Sequence, residues 1–181
     1  MVSSPHSSPP SVLQTAVVEI EQHVARAGWD RPPVLFALVA TADLARREPA
    51  LAHTLGLTDA ASKAGSLTPV EQESLGNTPL DEALAGIAWP VDVLGCALAH
   101  EVLVLPPSAE LAGPPEDAAG WAAAHPERRE VRMVVGVLRD GSQASALRVR
   151  AAGADPTAID DVLVGPDLAP NLAEALLETL R

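Results

Sequence analysis

The first regular pattern along the chain predicts a helix followed by a buried strand. Ser11 is a good N-cap, Gly28 stands where a C′ glycine belongs, and the apolar residues between them recur at helical spacing: Leu13, Ala16, Val17, Ile20, Val24 and Ala27. After the break at Pro32-Pro33, residues 34–40 form a continuous apolar run of strand length. Such a run is typical of a strand that is buried on both faces.

The middle of the chain is more polar and predicts short helices and loops. Residues 41–56 predict one or two short helices, interrupted at Pro49 and ended by a glycine. For residues 57–77 we expect a loop with one helical turn around Thr68-Pro69-Val70-Glu71. Thr78-Pro79 then begins a better helix, which ends at Trp89-Pro90.

The second half of the chain contains the longest apolar stretch and the clearest local signal. Residues 93–105 predict a central strand, and 106–116 a surface connection rich in Pro and Gly, before a short helix over 117–125. Two strand-like runs, 131–138 and 143–150, are joined by Arg139-Asp140-Gly141-Ser142, which predicts a β-hairpin. We expect a loop over 151–161 and a terminal helix over 168–180.

These elements predict one architecture. We expect an α+β fold with a mainly antiparallel sheet of about four strands and helices packed on one face. The helices of residues 41–89 form an insertion between the first two strands. The domain spans residues 11–181 as a single unit, and residues 1–10, rich in Ser and Pro, form a disordered tail.

Charge then narrows the class of partner. The 181 residues carry a formal net charge of −12. A negative field opposes binding to nucleic acid and to anionic membranes, because both need positive charge to release counterions. No apolar run approaches the ~18–20 residues that cross a bilayer, and the N-terminal residues lack the pattern of a signal peptide. We therefore expect a cytoplasmic protein without a nucleic-acid or membrane partner.

Motifs that carry chemistry are absent. The sequence has no G-x-G-x-x-G, P-loop, G-x-S-x-G, C-x-x-C or EF-hand pattern, and its one cysteine excludes an intramolecular disulfide. On a strand, Cys96 and His100 would lie about 13 Å apart, too far for contact. The adjacent Asp160 and Asp161 lack a cation-binding pattern. We predict no catalytic residue, no metal ligand and no cofactor.

An arginine stripe is the one local feature with a charge argument behind it. In the predicted hairpin Arg132 stands opposite Arg148, and Glu130 opposite Arg150, on the face away from Val131, Met133, Val135 and Val137. Opposed arginines repel unless an anion or a carboxylate lies between them. We expect Arg132, Arg148 and Arg150 to face solvent, on a sheet face that the chain's own acids neutralise. The alternative is a binding site for a partner or an anion, formed by the same three arginines. Arg148→Glu would then leave folding almost unchanged.

Several segments also resemble a known family. They are Ala27-Gly28-Trp29-Asp30-Arg31-Pro32, Leu67-Thr68-Pro69-Val70-Glu71-Gln72-Glu73, Ile87-Ala88-Trp89-Pro90 through Gly95-Cys96-Ala97, Val131-Arg132-Met133-Val134 through Arg139-Asp140-Gly141, and Gly165-Pro166-Asp167-Leu168. Together they resemble a family of uncharacterised small proteins from high-GC Gram-positive bacteria, a family without an assigned activity. The order of elements is also similar to that of secretion-chaperone-like proteins, which implies a dimeric binding module.

The function expected from these observations is binding. We expect a non-enzymatic protein-binding or adaptor module, with a chaperone-like role as one form of it. Five leucines on the terminal helix, more than one packing face needs, predict a homodimer: Leu168, Leu172, Leu176, Leu177 and Leu180. Two alternatives remain open. One is an enzyme whose site of dispersed acids with His100 or Cys96 is assembled by the fold. The other is a receptor for an anion or acidic segment built on the hairpin arginines.

Overall fold

The structure is a computed structural model that describes residues 10–57, 65–105, 117–150 and 162–181. The predicted tail (apart from Pro10), the connection 106–116 and the loop 151–161 with its two aspartates lie outside the described residues. The single-domain organisation stays a prediction.

Twelve helices and strands are described in the chain. In order they are α1 (Val12–Arg26), β1 (Val34–Ala40), α2 (Thr41–Arg47), α3 (Pro49–Thr54), β2 (Leu67–Glu71), α4 (Leu80–Ala85), β3 (Val93–Val104), α5 (Ala118–Ala124), β4 (Arg129–Leu138), β5 (Gln143–Val149), β6 (Val162–Gly165) and α6 (Pro170–Thr179). Local chemistry explains the start of α1, where Ser11 Oγ accepts a bond from Gln14 N (3.1 Å) and Gln14 Oε1 accepts one from Ser11 N (2.9 Å). Gly28, with φ +83°, follows its end.

The six described strands form one antiparallel sheet in the order β2-β1-β3-β4-β5-β6. The α+β class fits, but the prediction of about four strands is wrong. The segment expected to be a helical turn, Thr68 to Glu71, belongs to β2 and pairs with β1, so the insertion between β1 and β3 is not purely helical. Propensity for a turn at Thr68-Pro69 is overridden because Pro is tolerated on an edge strand.

Helices cover both faces of the sheet, so the prediction of helices on one face is wrong. Five apolar residues of α1 pack on one face, against side chains that include Phe36, Ala97 and Val134. Residues of α4 and α6 pack on the other, against Cys96, Leu98 and neighbouring strand residues. Two apolar cores follow, one on each side, which is why β1 and β3 are apolar at successive positions rather than alternating.

Small residues let α1 lie close to the sheet. The strand positions under the helix include Ala97, Ala99, Ala144 and Ala146, all buried. Gly136 is the extreme case, because a Cβ built there would lie 2.7 Å from Val17 Cγ2. The helix thus packs directly over β4, and the side chains beyond the glycine on that face lie beneath α1 or beside its end.

The predicted hairpin is confirmed. Leu138 N donates to Ser142 O (2.9 Å), and Gly141 between them has a left-handed φ of +88°. Asp140 Oδ1 accepts a bond from Ser142 N (2.8 Å), which closes the turn. The register then places Arg132 opposite Arg148, as the sequence predicts.

Candidate functional site

The hairpin arginines do not occupy a solvated face. Arg132 is 1% exposed, and the side chain of Arg148 is 19% exposed, so the expectation that both face solvent is wrong. Their face of the hairpin is the α1 face, because Val134, two residues from Arg132, packs in the core under α1. The alternation along β4 is therefore as predicted, but both of its sides are covered.

Arg148 is paired with a glutamate of α1. Its guanidinium donates through Nη2 to Glu21 Oε2 (2.8 Å) and through Nε to Glu21 Oε1. Glu21 is 1% exposed, so this carboxylate is removed from water and held by a forked pair of charged hydrogen bonds. The pair ties α1 to β5.

Arg132 is held by the turn that follows α1. Its Nη2 donates to the carbonyl of Gly28 and to Glu101 Oε1 (3.1 Å), and its guanidinium carbon lies 4.3 Å from the centre of the Trp29 ring. The second oxygen of Glu101 accepts from the backbone N–H of Asp30 (2.8 Å). Glu101 thus joins the turn to β3 and neutralises Arg132 at the same time.

Arg150 is the third of the hairpin arginines and the most exposed of them. Its guanidinium donates to Glu130 and to Asp30 Oδ1 (3.1 Å), and these two carboxylates raise the pKa of Arg150 above its ordinary value, Glu130 contributing most. The Trp29 ring centre lies 5.5 Å from this guanidinium carbon as well. We call the three arginines and their four acids, Glu21, Glu101, Glu130 and Asp30, the arginine network.

Sequence reasoning named the arginines but not their partners. One signal was available. Glu21 lies within the apolar stripe of α1, four residues after Val17 and three before Val24, and a carboxylate at a core position requires a cationic partner. Glu101 gave no comparable signal, because its role depends on β3 continuing past the start of β1, beside the turn that precedes that strand.

Cys96 and His100 are not brought into a shared cleft with acids. Cys96 is buried beneath α6, where its Sγ lies 3.7 Å from the carbonyl of Leu176 and from Thr179 Oγ1. Burial raises the pKa of the Cys96 thiol to about 11. Burial also lowers the pKa of His100, with Glu101 opposing, and its Nδ1 has no hydrogen-bond partner among the residues that the structure describes. Within the described part of the chain, no three His, Cys, Asp or Glu side chains could hold a metal ion.

The two edges of the sheet differ in chemistry. Among the described strands, β6 pairs with β5 alone, and its Val162, Leu163 and Val164 are all exposed. The strand β2, at the other edge, carries Pro69 in its middle and ends at Glu71, which bonds His23. Beside β2, a cavity of about 260 Å³ opens between α1 and the sheet.

Comparison with known proteins gives one assignment. In the described ranges, no helix is both long and apolar enough to cross a membrane. No curated protein matches the chain, and no solved structure matches it. A family model described as PPA1309-like protein matches residues 13–181, which is nearly the whole chain. The chain therefore belongs to the PPA1309-like protein family.

Proposed function

We propose that this protein is a non-enzymatic binding module that adds an extended segment of a partner protein to its sheet along β6. The observation that carries the proposal is the outer edge of β6, which no described strand pairs; there Leu163 is 59% exposed, and Val162 and Val164 are exposed on the opposite face. An exposed apolar strand with an unpaired edge invites pairing with another chain. Strand addition of this kind is a recurring mode of peptide recognition.

The contrast with the other edge supports this proposal. The strand β2 has Pro69, which lacks a backbone N–H, and a charged residue, Glu71, that is bonded to His23 on α1. Prolines and charges are the means by which natural sheets block pairing at their edges. The strand β6 has neither within its four residues. One edge of this sheet is thus protected by its sequence, while the other is left open by the part of the chain that the structure describes.

Charge suggests the character of the partner. The chain carries −12, so association with another acidic protein is opposed at long range and association with a basic one is favoured. We infer an extended segment with apolar residues at alternate positions, from a partner of net positive charge. A chaperone-like role in a bacterial cytoplasm, in which such a segment is shielded, is one form of this function.

A second copy of this chain is the competing partner for the edge of β6. Two copies would bring together a charge of −12 each, which opposes a homodimer. The leucines that suggested a dimer also have an internal use, because Leu176 and Leu180 are buried and Leu172 and Leu177 pack against the same core. The homodimer stays a prediction, without support from that helix.

The two alternative functions are less well supported. A nucleophilic Cys96 would need a thiolate, whereas its pKa is raised to about 11 and its side chain is buried. A receptor built on Arg132, Arg148 and Arg150 would have to displace carboxylates that already pair with all three. Both alternatives stay predictions.

The proposal is tested by selecting peptide ligands from a random library, so that no particular ligand has to be assumed. Decapeptides from a random library, displayed on phage, are selected on the immobilised protein, and the binding of synthetic versions is measured by fluorescence anisotropy. We expect basic peptides with apolar residues at alternate positions. Leu163→Lys should weaken the binding of these peptides at least about tenfold, because a lysine on an edge strand opposes strand addition.

The matched control is Leu55→Lys, which changes an apolar residue of similar exposure, 54%, beyond the end of α3. It should bind the peptides like the wild type. Peptides that bind both variants equally, or selection of no peptide at all, would reject β6 as the site. A light-scattering mass of two chains that Leu163→Lys reduces to one would assign β6 to self-association instead.

A further inference from the structure

From the cavity beside β2 we infer that the protein has a second binding site, for a small organic cation: an ammonium or guanidinium group on an apolar stem. The cavity is separate from the proposed β6 site, because β2 and β6 are opposite edges of the six-stranded sheet. The inference therefore does not depend on the proposed function.

Three elements form the cavity. Glu19, Ile20 and His23 come from α1, and Glu19 and His23 lie on the same side of the helix because they are four residues apart. On the sheet, Phe36 of β1 is paired in register with Glu71 of β2, so their side chains lie on the α1 face together. Helix and sheet edge thus meet with a space of about 260 Å³ between them.

The lining separates into an apolar floor and a charged mouth. Ile20, Phe36 and Pro69 provide the apolar surface, and Ile20 and Phe36 are themselves buried in the core. Glu19, His23 and Glu71 are exposed around it. A ligand that enters would place its apolar part on the floor and its polar group between the side chains of the mouth, the usual arrangement of small-molecule sites.

The mouth favours a cation. Two of its three polar residues are glutamates, and among the described residues neither lysine nor arginine lines the cavity. His23 Nε2 bonds Glu71 Oε2 at 2.9 Å. Over the described ranges, no hydrogen bond or ion pair engages the other oxygen of Glu71 or the carboxylate of Glu19. An ammonium or guanidinium donor can use both, and the overall charge of −12 adds to the attraction.

The volume sets the size of the ligand. Pockets for drug-sized molecules measure roughly 300–1,000 Å³, so about 260 Å³ fits a smaller molecule or one side chain. The rings of His23 and Phe36 already pack against each other at right angles, with 6.3 Å between their centres. The ligand is therefore a short cation such as an arylalkyl- or alkylammonium ion, free or carried as a basic side chain.

The test uses three probes of one shape and different charge. The full-length protein, labelled with ¹⁵N, is titrated with 2-phenylethylammonium, 2-phenylethanol and 3-phenylpropanoate, and amide shifts are followed by NMR. The ammonium should bind with shifts centred on Ile20, His23, Phe36 and Glu71. The alcohol should bind at least about tenfold more weakly, since it lacks the charge that strengthens a hydrogen bond to a carboxylate, and the anion should not bind.

Variants separate this site from general attraction to an acidic protein. Glu19→Gln and Glu71→Gln should each weaken the binding of 2-phenylethylammonium about tenfold. Glu178→Gln, which removes an equally negative carboxylate from α6, should leave the affinity unchanged. Equal binding of the ammonium and the alcohol, equal loss in all three variants, or shifts outside the cavity would overturn the inference.

A fourth probe identifies the source of the cation. N-acetyl-lysine N-methylamide presents the same ammonium on a peptide-like backbone. Affinity equal to that of 2-phenylethylammonium would assign the site to a basic side chain of another protein, and weaker binding would assign it to a free amine.

Discussion

Glu21 on α1 and Arg148 on β5, 127 residues apart in the chain, form a buried, forked ion pair. The register also places Arg132 directly opposite Arg148, and that repulsion is resolved by two carboxylates from different elements, Glu21 and Glu101. The arginine network therefore fastens α1 and the turn after it to the sheet.

The first prediction concerns this pair. The sequence alone predicts that Arg148→Glu is harmless, whereas the structure predicts a large loss of stability. The substitution leaves the buried Glu21 without its cation and adds a second carboxylate beside it, and breaking a buried pair from one side costs about 3–5 kcal/mol. Urea unfolding followed by circular dichroism measures the loss.

Two variants check the cause. The double variant Glu21→Leu/Arg148→Met removes both charges and should recover most of the lost stability, because well-packed apolar residues replace buried ion pairs at little cost. Arg46→Ala removes an exposed arginine paired with Asp43 and should change the free energy of unfolding by within about 0.5 kcal/mol. An Arg148→Glu protein as stable as the wild type would show that the network does not hold α1.

The second prediction concerns the thiol of Cys96. Because burial raises its pKa to about 11, only about a thousandth of it is thiolate at pH 8, and α6 covers the sulfur. The native protein should not react with DTNB during a period in which the protein unfolded in guanidinium reacts completely. Fast stoichiometric reaction of the native protein would place Cys96 at an accessible site and revive the enzyme alternative.

The third prediction concerns pH and His100. Its pKa in the fold is below the ordinary value because burial disfavours the imidazolium ion, although Glu101 partly opposes this. The unfolded chain, with a histidine pKa of about 6.5, therefore binds more protons between the two values, and stability rises with pH there. His100 should thus cost stability as the pH falls through about 6.5.

The variant His100→Gln isolates this contribution from that of the other titrating groups. Urea midpoints at pH 7.5 and at pH 5.5 are compared for both proteins. The wild type should lose more stability between the two pH values than the variant does. Parallel losses would mean that His100 is protonated as easily in the fold as in the unfolded chain.

Much of the fold follows from local patterns. Helix α1 with its caps, strands β1 and β3 and the hairpin are confirmed because their signals are contained in a few neighbouring residues. The sequence also indicated that both faces of the sheet are covered. The apolar run of residues 34–40 indicated burial on both sides, and this information conflicts with the architecture of helices on one face.

The missed parts depend on distant contacts. The strand β2 contains Pro69 and resembles a turn locally, and only pairing with β1 makes it a strand. The strand β6 has four residues, and β5 is its one partner within the described ranges. The burial of Arg132 likewise depends on the turn after α1, which packs on it from about a hundred residues away in the chain. Periodicity contains no information about such partners.

The central claim, that β6 receives an extended segment, is tested most directly by amide hydrogen exchange read by NMR. Exchange at residues 162–165 is compared in the free protein and with a selected decapeptide at saturation. An edge strand that gains a neighbour gains backbone hydrogen bonds, so the outward N–H groups of β6 should exchange at least about tenfold more slowly with peptide bound. Unchanged exchange along β6, with slowing elsewhere, would contradict the account.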